Sequence, residues 1–569
     1  MINELYKLWC EKATADPDLI AELKEIEGNE ELISDAFYTS LEFGTAGLRG
    51  VIGAGTNRMN IYTVGQASQG LADYVNSIAK NGTVAIAYDS RIKSDVFART
   101  AASVFAANGI KVYIYDELAP TPMLSFAVRR LKCDAGVVIT ASHNPSKYNG
   151  YKAYGADGAQ LGPEAADYVL SKMREVDMFS GIKSEDYENA LKNGRIEYIS
   201  QDIVNEYLDC VEAQRIEPET DLSGLKVVYT PLNGAGNKPV REILKRLGIT
   251  QVTVVPEQEM PDGNFPTCPY PNPEIRQAFE YALKLAEAEK PDILLATDPD
   301  SDRVGIAVRI DGEYKLFSGN DVGVLLLNYI LSRRKANGTL PENPVAVKTI
   351  VSTELCQKIA DDYGCTLVNV LTGFKFIGEQ ITILAEQGAP ERYILGFEES
   401  YGYLAGDYAR DKDAVVGSML ICEMTAYYKT IGKTLGDVLE EIYNKYGFFQ
   451  DAQKSFTCEG QTGMEKIKNI MISLRENPPK TIDGDKVITI KDYQNSVSVD
   501  AVNNTETALT LPKSNVLSFV LDSGCSLIVR PSGTEPKIKI YIGAIGNTQE
   551  ASIDKKESII KAGTELLGF

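Results

Sequence analysis

The sequence predicts an α/β protein: three similar mixed α/β domains and then a smaller C-terminal α+β domain. Three observations carry that prediction. Short β-branched runs alternate with longer helical patterns such as "EIRQAFEYALKLAEAEK", the pattern of βαβ units with largely parallel strands. The runs "VAIAYDSR" from Val84, "KVVYTPLNG" from Lys226 and "VAVKTIVS" from Val345 are each followed by a second apolar strand about 50 to 65 residues later, a coarse repeat whose spacing suits a βαβ-rich unit. A chain of 569 residues is also too long for one hydrophobic core.

Taken in chain order, the first fifty residues read as helix and then a glycine-rich loop, "EFGTAGLRG". Domain one, 1–205, ends its second strand in "GVVITASHNP". Domain two, 206–316, ends its own in "DILLATDPDSD", and domain three, 317–445, in "RYILGFEES". Each polar loop leaves the end of a strand, where open α/β sheets place ligands. Domain four, 446–569, is richer in Lys, Thr and Ser. Its "SNVLSFVLDSGCSLIVRPSGTEPKIKIYIGA" reads as strand, turn, strand, loop, strand. That is an antiparallel sheet, closed by the helix "DKKESIIKAGTELLGF".

Composition excludes several classes. A formal charge of −21 repels nucleic acid and acidic membrane, and makes clustered cations informative. Nine cysteines with no C-x-x-C pair and a single histidine leave no Cys/His zinc set. Scattered, odd-numbered thiols point to a reducing compartment. "MINELYKLWCEKATADPDLI" lacks the pattern of a signal peptide, and the longest apolar run, "VGVLLLNYIL", is too short to span a bilayer. The expectation is a cytoplasmic protein without nucleic-acid or membrane partners.

Among the loops, "DPDSDR" is the sharpest signal. Carboxylates at i, i+2 and i+4 lie on one side of an extended segment, so Asp298, Asp300 and Asp302 can converge. Three close carboxylates repel unless a cation compensates, and all-oxygen ligation favours a hard ion such as Mg²⁺. An EF-hand fails, because Arg303 and Arg309 stand where it needs Gly and Glu. Arg303 can offer a fork of donors to a phosphate or sugar oxygen. "RPSGTEPK", Arg530 to Lys537, has the arginine, hydroxyls and glycine of a phosphate cradle, and equally those of an ordinary turn. It lacks the Walker A pattern. In "GFEESYGY", Glu398 and Ser400 would share one side of an extended loop, suited to vicinal sugar hydroxyls; a helix N-terminus explains the acids as well. "YARDKDAV" adds Arg410 and Lys412, and "TGFKF" adds Lys375. "EFGTAGLRG" and "RIKSD" contribute Arg49 and Arg91, which alone read as structural.

The only histidine, His143, adjoins Ser142 in "TASHNPSKYNGYK". A Ser-His-Asp triad needs a histidine brought from elsewhere in space, and none exists. The role left to Ser142 is to carry phosphate, a dianion with three acceptor oxygens that would complete the acidic metal site. Lys152, on the same loop, could meet developing charge or relay a proton. The competing reading is a capped turn, with Ser142 or Asn144 before a short helix restrained by Pro145.

With these four motifs in this order, the chain resembles the α-D-phosphohexomutase superfamily. "FGTAGLRG", "GAGTNRMN" and "PDGNFPTCPYPNPE" bring it closest to the phosphoglucomutase and phosphopentomutase branch. The resemblance implies four domains around a central cleft. It makes Ser142 the phosphoserine, and Ser142, Asp298, Asp300 and Asp302 the ligands of one Mg²⁺ per chain. Glu398 and Ser400 become sugar contacts, with Thr372, Gly373 and Lys375 beside them. Arg530, Ser532, Gly533 and Thr534 become the site of the non-reacting phosphate. Arg49, His143, Lys152, Arg303 and Lys412 match further cleft positions, with Ser142, Lys152, His143 and Lys412 on the catalytic side. Two departures stand out. Some members carry a histidine after the E-x-S pair where this chain has "YGY", which leaves the general acid/base open, with Lys412 a replacement. Phe374 stands where many phosphoglucomutases have Trp. The implied activity interconverts glucose 1-phosphate and glucose 6-phosphate, with glucose 1,6-bisphosphate as intermediate and activator. A phosphopentomutase, a phosphomannomutase or a sugar bisphosphate synthase are the alternatives. The implied partner is a small sugar phosphate, and the implied assembly a monomer or weak homo-oligomer.

Overall fold

In the computed structural model every residue is described except 1, 44–46, 459 and 533–536; for 460–462 only the backbone is. The chain forms two compact units. The first comprises Met1–Phe317, Gly378–Tyr393 and Ser400–Gly432; the second comprises Ser318–Ile377, Ile394–Glu399 and Lys433–Phe569.

The first unit opens with three helices, Ile2–Lys12, Pro17–Glu25 and Glu30–Phe37. The breaks are written locally. Asp16 accepts from the Asp18 N–H with Pro17 in the first turn, and Asn29 accepts from Leu32 N, the usual way to satisfy orphan donors at a helix start. Their apolar faces close on Trp9, Leu19, Leu23, Ile33 and Phe37. Part of the expected glycine-rich loop is instead a strand, Gly47–Val51. It pairs antiparallel with Tyr148–Gly155, Arg49 opposite Gly150, because that neighbour offers an open sheet edge.

Two sheets follow in this unit. The first runs, edge to edge, Gly47–Val51, Tyr148–Gly155, Ala135–Ile139, Thr83–Tyr88, Lys111–Ile114 and Ile196–Tyr198. The second runs Glu313–Phe317, Val304–Ile310, Ile293–Thr297, Lys226–Thr230 and Gln251–Val254. Thr83–Tyr88 is parallel to both neighbours, and so is Lys226–Thr230. In each sheet the strand that ends at the polar loop is followed by an antiparallel return. Ala135–Ile139 and Ile293–Thr297 are buried at every position, as expected of strands covered on both faces.

In the third sheet Val345–Thr349 lies between Thr366–Val370, to which it is parallel, and Tyr393–Glu398. The three opening strands of the sequence repeat therefore each lie between the next strand in the chain and the strand that ends at the polar loop. The C-terminal sheet is antiparallel: Phe448–Thr457, Lys537–Gly546, Ser526–Pro531, Leu517–Leu521, Asp485–Asp492, Val497–Asp500 and Thr505–Ala508. Helix Gln549–Leu566, capped by Thr548, packs Ile559 against Leu527, Ile540 and their neighbours. The fold is thus α/β with three mixed sheets and a β-rich C-terminal domain. Among the described residues no helix is long and apolar enough to cross a membrane.

Candidate active site

The site grows out of the two strand ends of the first unit. Ala135–Ile139 runs into a tight turn in which Ser142 has φ 52°. No helix follows it, so the capped-helix reading is not what the chain adopts. Left-handed backbone is uncommon for a residue with a side chain and needs support. The support lies beneath the turn. Thr140 Oγ1 accepts from Ser142 N at 2.7 Å and donates to Asp89 Oδ2 at 2.7 Å. Asp89 Oδ1 also accepts from Arg91 N and Ser94 Oγ. The buried guanidinium of Arg91 donates to the carbonyls of Pro145 and Tyr148, each at 3.0 Å, and to those of Ser142 and Asn144. Arg91 therefore straps the loop from below. Asp89 and Thr140 are members of this scaffold that sequence reasoning missed, although a carboxylate ending the strand of "VAIAYDSR" was a signal for the first.

The acidic triplet also converges, with ligand oxygens within 4.8 Å of one another. The route differs from the extended segment expected. Along a strand, residues four apart stand about 13 Å apart, too far for a common point. Here the chain turns: Ser301 N donates to Asp298 O at 2.9 Å, and Ser301 has φ 49°. Gly234 packs on this turn so closely that a Cβ would lie 2.5 Å from Pro299 Cα, which explains the glycine in "PLNGAG". Asp298 Oδ1 accepts the N–H groups of Asp302 and Arg303. Thr121 Oγ1 donates to Asp300 Oδ2 at 2.9 Å.

The two loops meet. Ser142 Oγ donates to Asp298 Oδ2 at 2.9 Å and lies 3.2 Å from His143 Nδ1. The left-handed turn lets a sequence neighbour reach the hydroxyl, which the sequence alone argued against. Lys152 Nζ stands 2.8 Å from Asp300 Oδ2 and 3.4 Å from Asp302 Oδ2. Lys412 Nζ stands 2.8 Å from Asp302 Oδ2 and 3.3 Å from Asp411 Oδ1. Arg303 Nη1 donates to Glu274 Oε1 at 2.7 Å. Arg410 is a different kind of cation: it is buried, and its guanidinium bonds Thr382 Oγ1 and the carbonyls of Asp407 and Ala409.

Electrostatics sharpen the picture. Burial, then the charges of Asp300 and Asp302, push Asp298 well above the usual carboxylate range. Burial acts on Asp300 too, but Lys152 and then Lys412 outweigh it and hold its carboxyl low. Burial lowers Lys152, and Asp300 and Asp302 more than restore it, so it keeps its proton. The imidazole of His143 is held well below its ordinary value by burial and then by Arg303 and Arg49, so it is neutral. Asp300 Oδ1 and Asp302 Oδ1 are buried with no hydrogen-bond partner. Orphaned carboxylate oxygens beside a destabilised third acid are what a cation would satisfy. The donor set fits a metal ion.

The second unit holds Thr372, Gly373, Lys375, Glu398, Arg530 and Ser532. Gly373 N donates to the buried Glu398 Oε1 at 3.0 Å, which brings those two together. Glu399 to Tyr401 make a turn rather than an extended loop, with Tyr401 at φ 68°; a strand end that reverses cannot stay extended. Ser400 falls in the first unit. Arg530 lies beside Tyr541, whose hydroxyl it hydrogen-bonds. Gly533 and Thr534 lie outside the described residues.

Comparison with known proteins agrees with this geometry. The phosphoglucomutase/phosphomannomutase alpha/beta/alpha domains I, II and III match residues 40–179, 205–311 and 318–446. A phosphoglucomutase of Staphylococcus haemolyticus is 38% identical over 524 residues, 91% of this chain and 93% of that protein. One of Staphylococcus aureus is 39% identical over 537 residues, 94% and 95% respectively. The open form of pp63/parafusin, a phosphoglucomutase of Paramecium, shares the fold with TM-score 0.67 and 18% identity, over 93% of this chain and 95% of that one. A phosphoglucomutase/phosphomannomutase family protein of Burkholderia thailandensis does so with TM-score 0.65 and 17% identity, over 92% and 97%. The chain therefore belongs to the phosphoglucomutase/phosphomannomutase family, in the α-D-phosphohexomutase superfamily, and is a phosphohexomutase, an isomerase-class phosphotransferase.

Proposed function

We propose that this protein is a reversible phosphoglucomutase that carries phosphate on Ser142 and passes through glucose 1,6-bisphosphate. The observation that supports it most is Ser142 Oγ at 2.9 Å from Asp298 Oδ2, in a chain whose curated relatives are phosphoglucomutases. Phosphoserine 142 gives its phosphoryl group to O6 of glucose 1-phosphate: the P–Oγ bond breaks and a P–O6 bond forms. The bisphosphate turns over, and its C1 phosphoryl returns to Oγ, releasing glucose 6-phosphate. His143, with Nδ1 3.2 Å from Oγ, relays a proton in each half-reaction: the O6 proton passes to Oγ as phosphoryl leaves serine, and the Oγ proton passes to O1 of the departing sugar as serine is rephosphorylated. Lys152 and Lys412 hold positive charge against the moving group.

Asp298, Asp300, Asp302 and the Ser142 phosphate would hold one Mg²⁺. When bound, that ion neutralises charge as phosphoryl transfers. Glu398 and Ser400 read vicinal hydroxyls in either orientation of the sugar, with Thr372, Gly373 and Lys375 beside them. Arg530, Ser532, Gly533 and Thr534 take the phosphate that is not reacting, and Arg49 and Arg303 complete the anion contacts. We place domain boundaries at 205/206, 316/317 and 445/446. A cytoplasmic monomer or weak homo-oligomer acting on a small sugar phosphate completes the reading; the nine free cysteines support the compartment. The test is a side-by-side rate comparison on glucose, mannose and ribose 1-phosphates with catalytic bisphosphate present. A clear preference for glucose is expected; equal rates on all three would defeat the narrow name.

A further inference from the structure

We propose that Lys93 and Glu22 are positioning residues through which the three N-terminal helices set the Ser142 loop, an inference that rests on Ser142 carrying the phosphate. The helices span Ile2 to Phe37 and precede the segment matched by the family's first domain, 40–179. They reach the Ser142 loop by two routes.

The first route runs through Lys93. Its Nζ is 2.6 Å from Asp16 Oδ2 and 2.8 Å from Asp18 Oδ2, both at the start of the second helix. Lys93 has φ 61° and caps helix Ser94–Ala107 without a side-chain bond. A strained backbone of this kind persists only where neighbours fix it, and here the pair of aspartates supplies the anchor. The fixed segment, Asp89 to Ser94, is the underlay of the Ser142 loop. Arg91 grips four of that loop's carbonyls, Asp89 holds Thr140, and Asn149 Nδ2 donates to Ile92 O at 3.0 Å.

The second route runs through Glu22. Its Oε2 accepts from Ala54 N at 2.8 Å, and Asn57 N donates to Ala36 O at 3.0 Å. Gly55, at φ 127°, lets the chain pass so close that a Cβ would lie 2.4 Å from Ala36 O. This docked segment follows Ile52, whose N–H donates to Lys147 O at 2.8 Å, inside the Ser142 loop. It also follows the strand that carries Arg49 opposite Gly150. Ala54 sits in the same apolar cluster as Trp9 and Phe37, so the contact is part-buried rather than a fully exposed surface pair of little value.

The expected consequence is a phosphoryl-transfer loop whose geometry depends on distant side chains that touch no substrate. The test uses full-length Lys93→Ala, Lys93→Arg and Glu22→Gln. The readouts are kcat and KM for glucose 1-phosphate, hydrogen exchange of peptides 140–152 and 226–230, and the rate at which Ser142 takes phosphate from glucose 1,6-bisphosphate. Lys93→Ala should lower kcat about 10- to 100-fold, the scale of a small misplacement, with KM within about twofold. Peptide 140–152 should exchange faster while 226–230 does not change, and Lys93→Arg should recover most of the rate. Glu22→Gln should act in the same direction more weakly. A Lys93→Ala enzyme with parental kcat and parental exchange at 140–152 would overturn the inference. Failure of Ser142 in the parent enzyme to take phosphate from glucose 1,6-bisphosphate would instead sink the carrier reading, while the exchange result still decides the role of Lys93.

Discussion

The Ser142 loop and the Asp298 loop are two versions of one design. Each leaves the second of two parallel strands, each turns on a serine in the left-handed region, and each has a threonine at the strand end or just past it, Thr297 or Thr140. Their contents differ. The Ser142 loop is strapped through its carbonyls by Arg91, which leaves Oγ on the side facing Asp298. The Asp298 loop is held by its own N–H groups and by Gly234, and it leaves carboxylate oxygens without hydrogen-bond partners. A repeated backbone device thus presents a phosphate carrier in one copy and an ion cradle in the other. Chemistry here lies in the side chains grafted on the turn, not in the turn.

The largest break in this comparison should come from the carrier itself. Ser142→Ala removes the group that the first loop exists to present, and mutase kcat should fall by at least about 10⁴-fold in a coupled assay with bisphosphate added. Next comes the cradle. Asp300→Asn should cost about 10²-fold in rate at limiting metal, partly regained at high Mg²⁺. Titrating the chelator-treated enzyme with Mg²⁺ checks this, and an unchanged metal dependence would remove the triplet from the account. The strap should give a stability effect instead. Arg91→Ala leaves Asp89 buried without its cation, a loss of about 3–5 kcal/mol in denaturant unfolding. Arg91→Lys returns the cation but should recover only part of the loss, because an ammonium cannot bond four carbonyls.

The smallest expected effect lies outside both loops. In the second unit, burial raises the Asp451 carboxyl to about 7, with the Thr353 hydrogen bond pulling the other way. Between about pH 4 and 7 the folded state then holds a proton that the unfolded state has released, so stability falls as pH rises through that window. Asp451→Asn should flatten this slope and raise the thermal midpoint at pH 8 relative to the parent. A slope unchanged in the variant would assign it to another group.

Much of this was legible in the residues. The three opening strands, the three loops and the C-terminal β-rich domain all follow from apolar runs and turn residues, because those are local patterns. What escaped was geometry between segments. "DPDSDR" announces three carboxylates, but only the turn at Ser301 brings them together. The neutral His143 beside Oγ depends on the sign of φ at Ser142, which no composition reveals. Arg91 read as structural with no stated partner, because nothing local says that four carbonyls surround it, and Thr121, 179 residues from Asp300, was invisible for the same reason. The N-terminal stretch showed its helical character but not its grip on the segments beneath Ser142.

The central claim is that phosphate passes through Ser142. The direct measurement is a label chase: incubate the enzyme with ³²P-labelled glucose 1,6-bisphosphate, map the label, then add unlabelled glucose 1-phosphate. The account predicts label on the peptide holding residues 140–152, absent in Ser142→Ala, and released into sugar phosphate at a rate no slower than kcat. Label confined to another residue, or label on Ser142 that stays put while turnover proceeds, would contradict it.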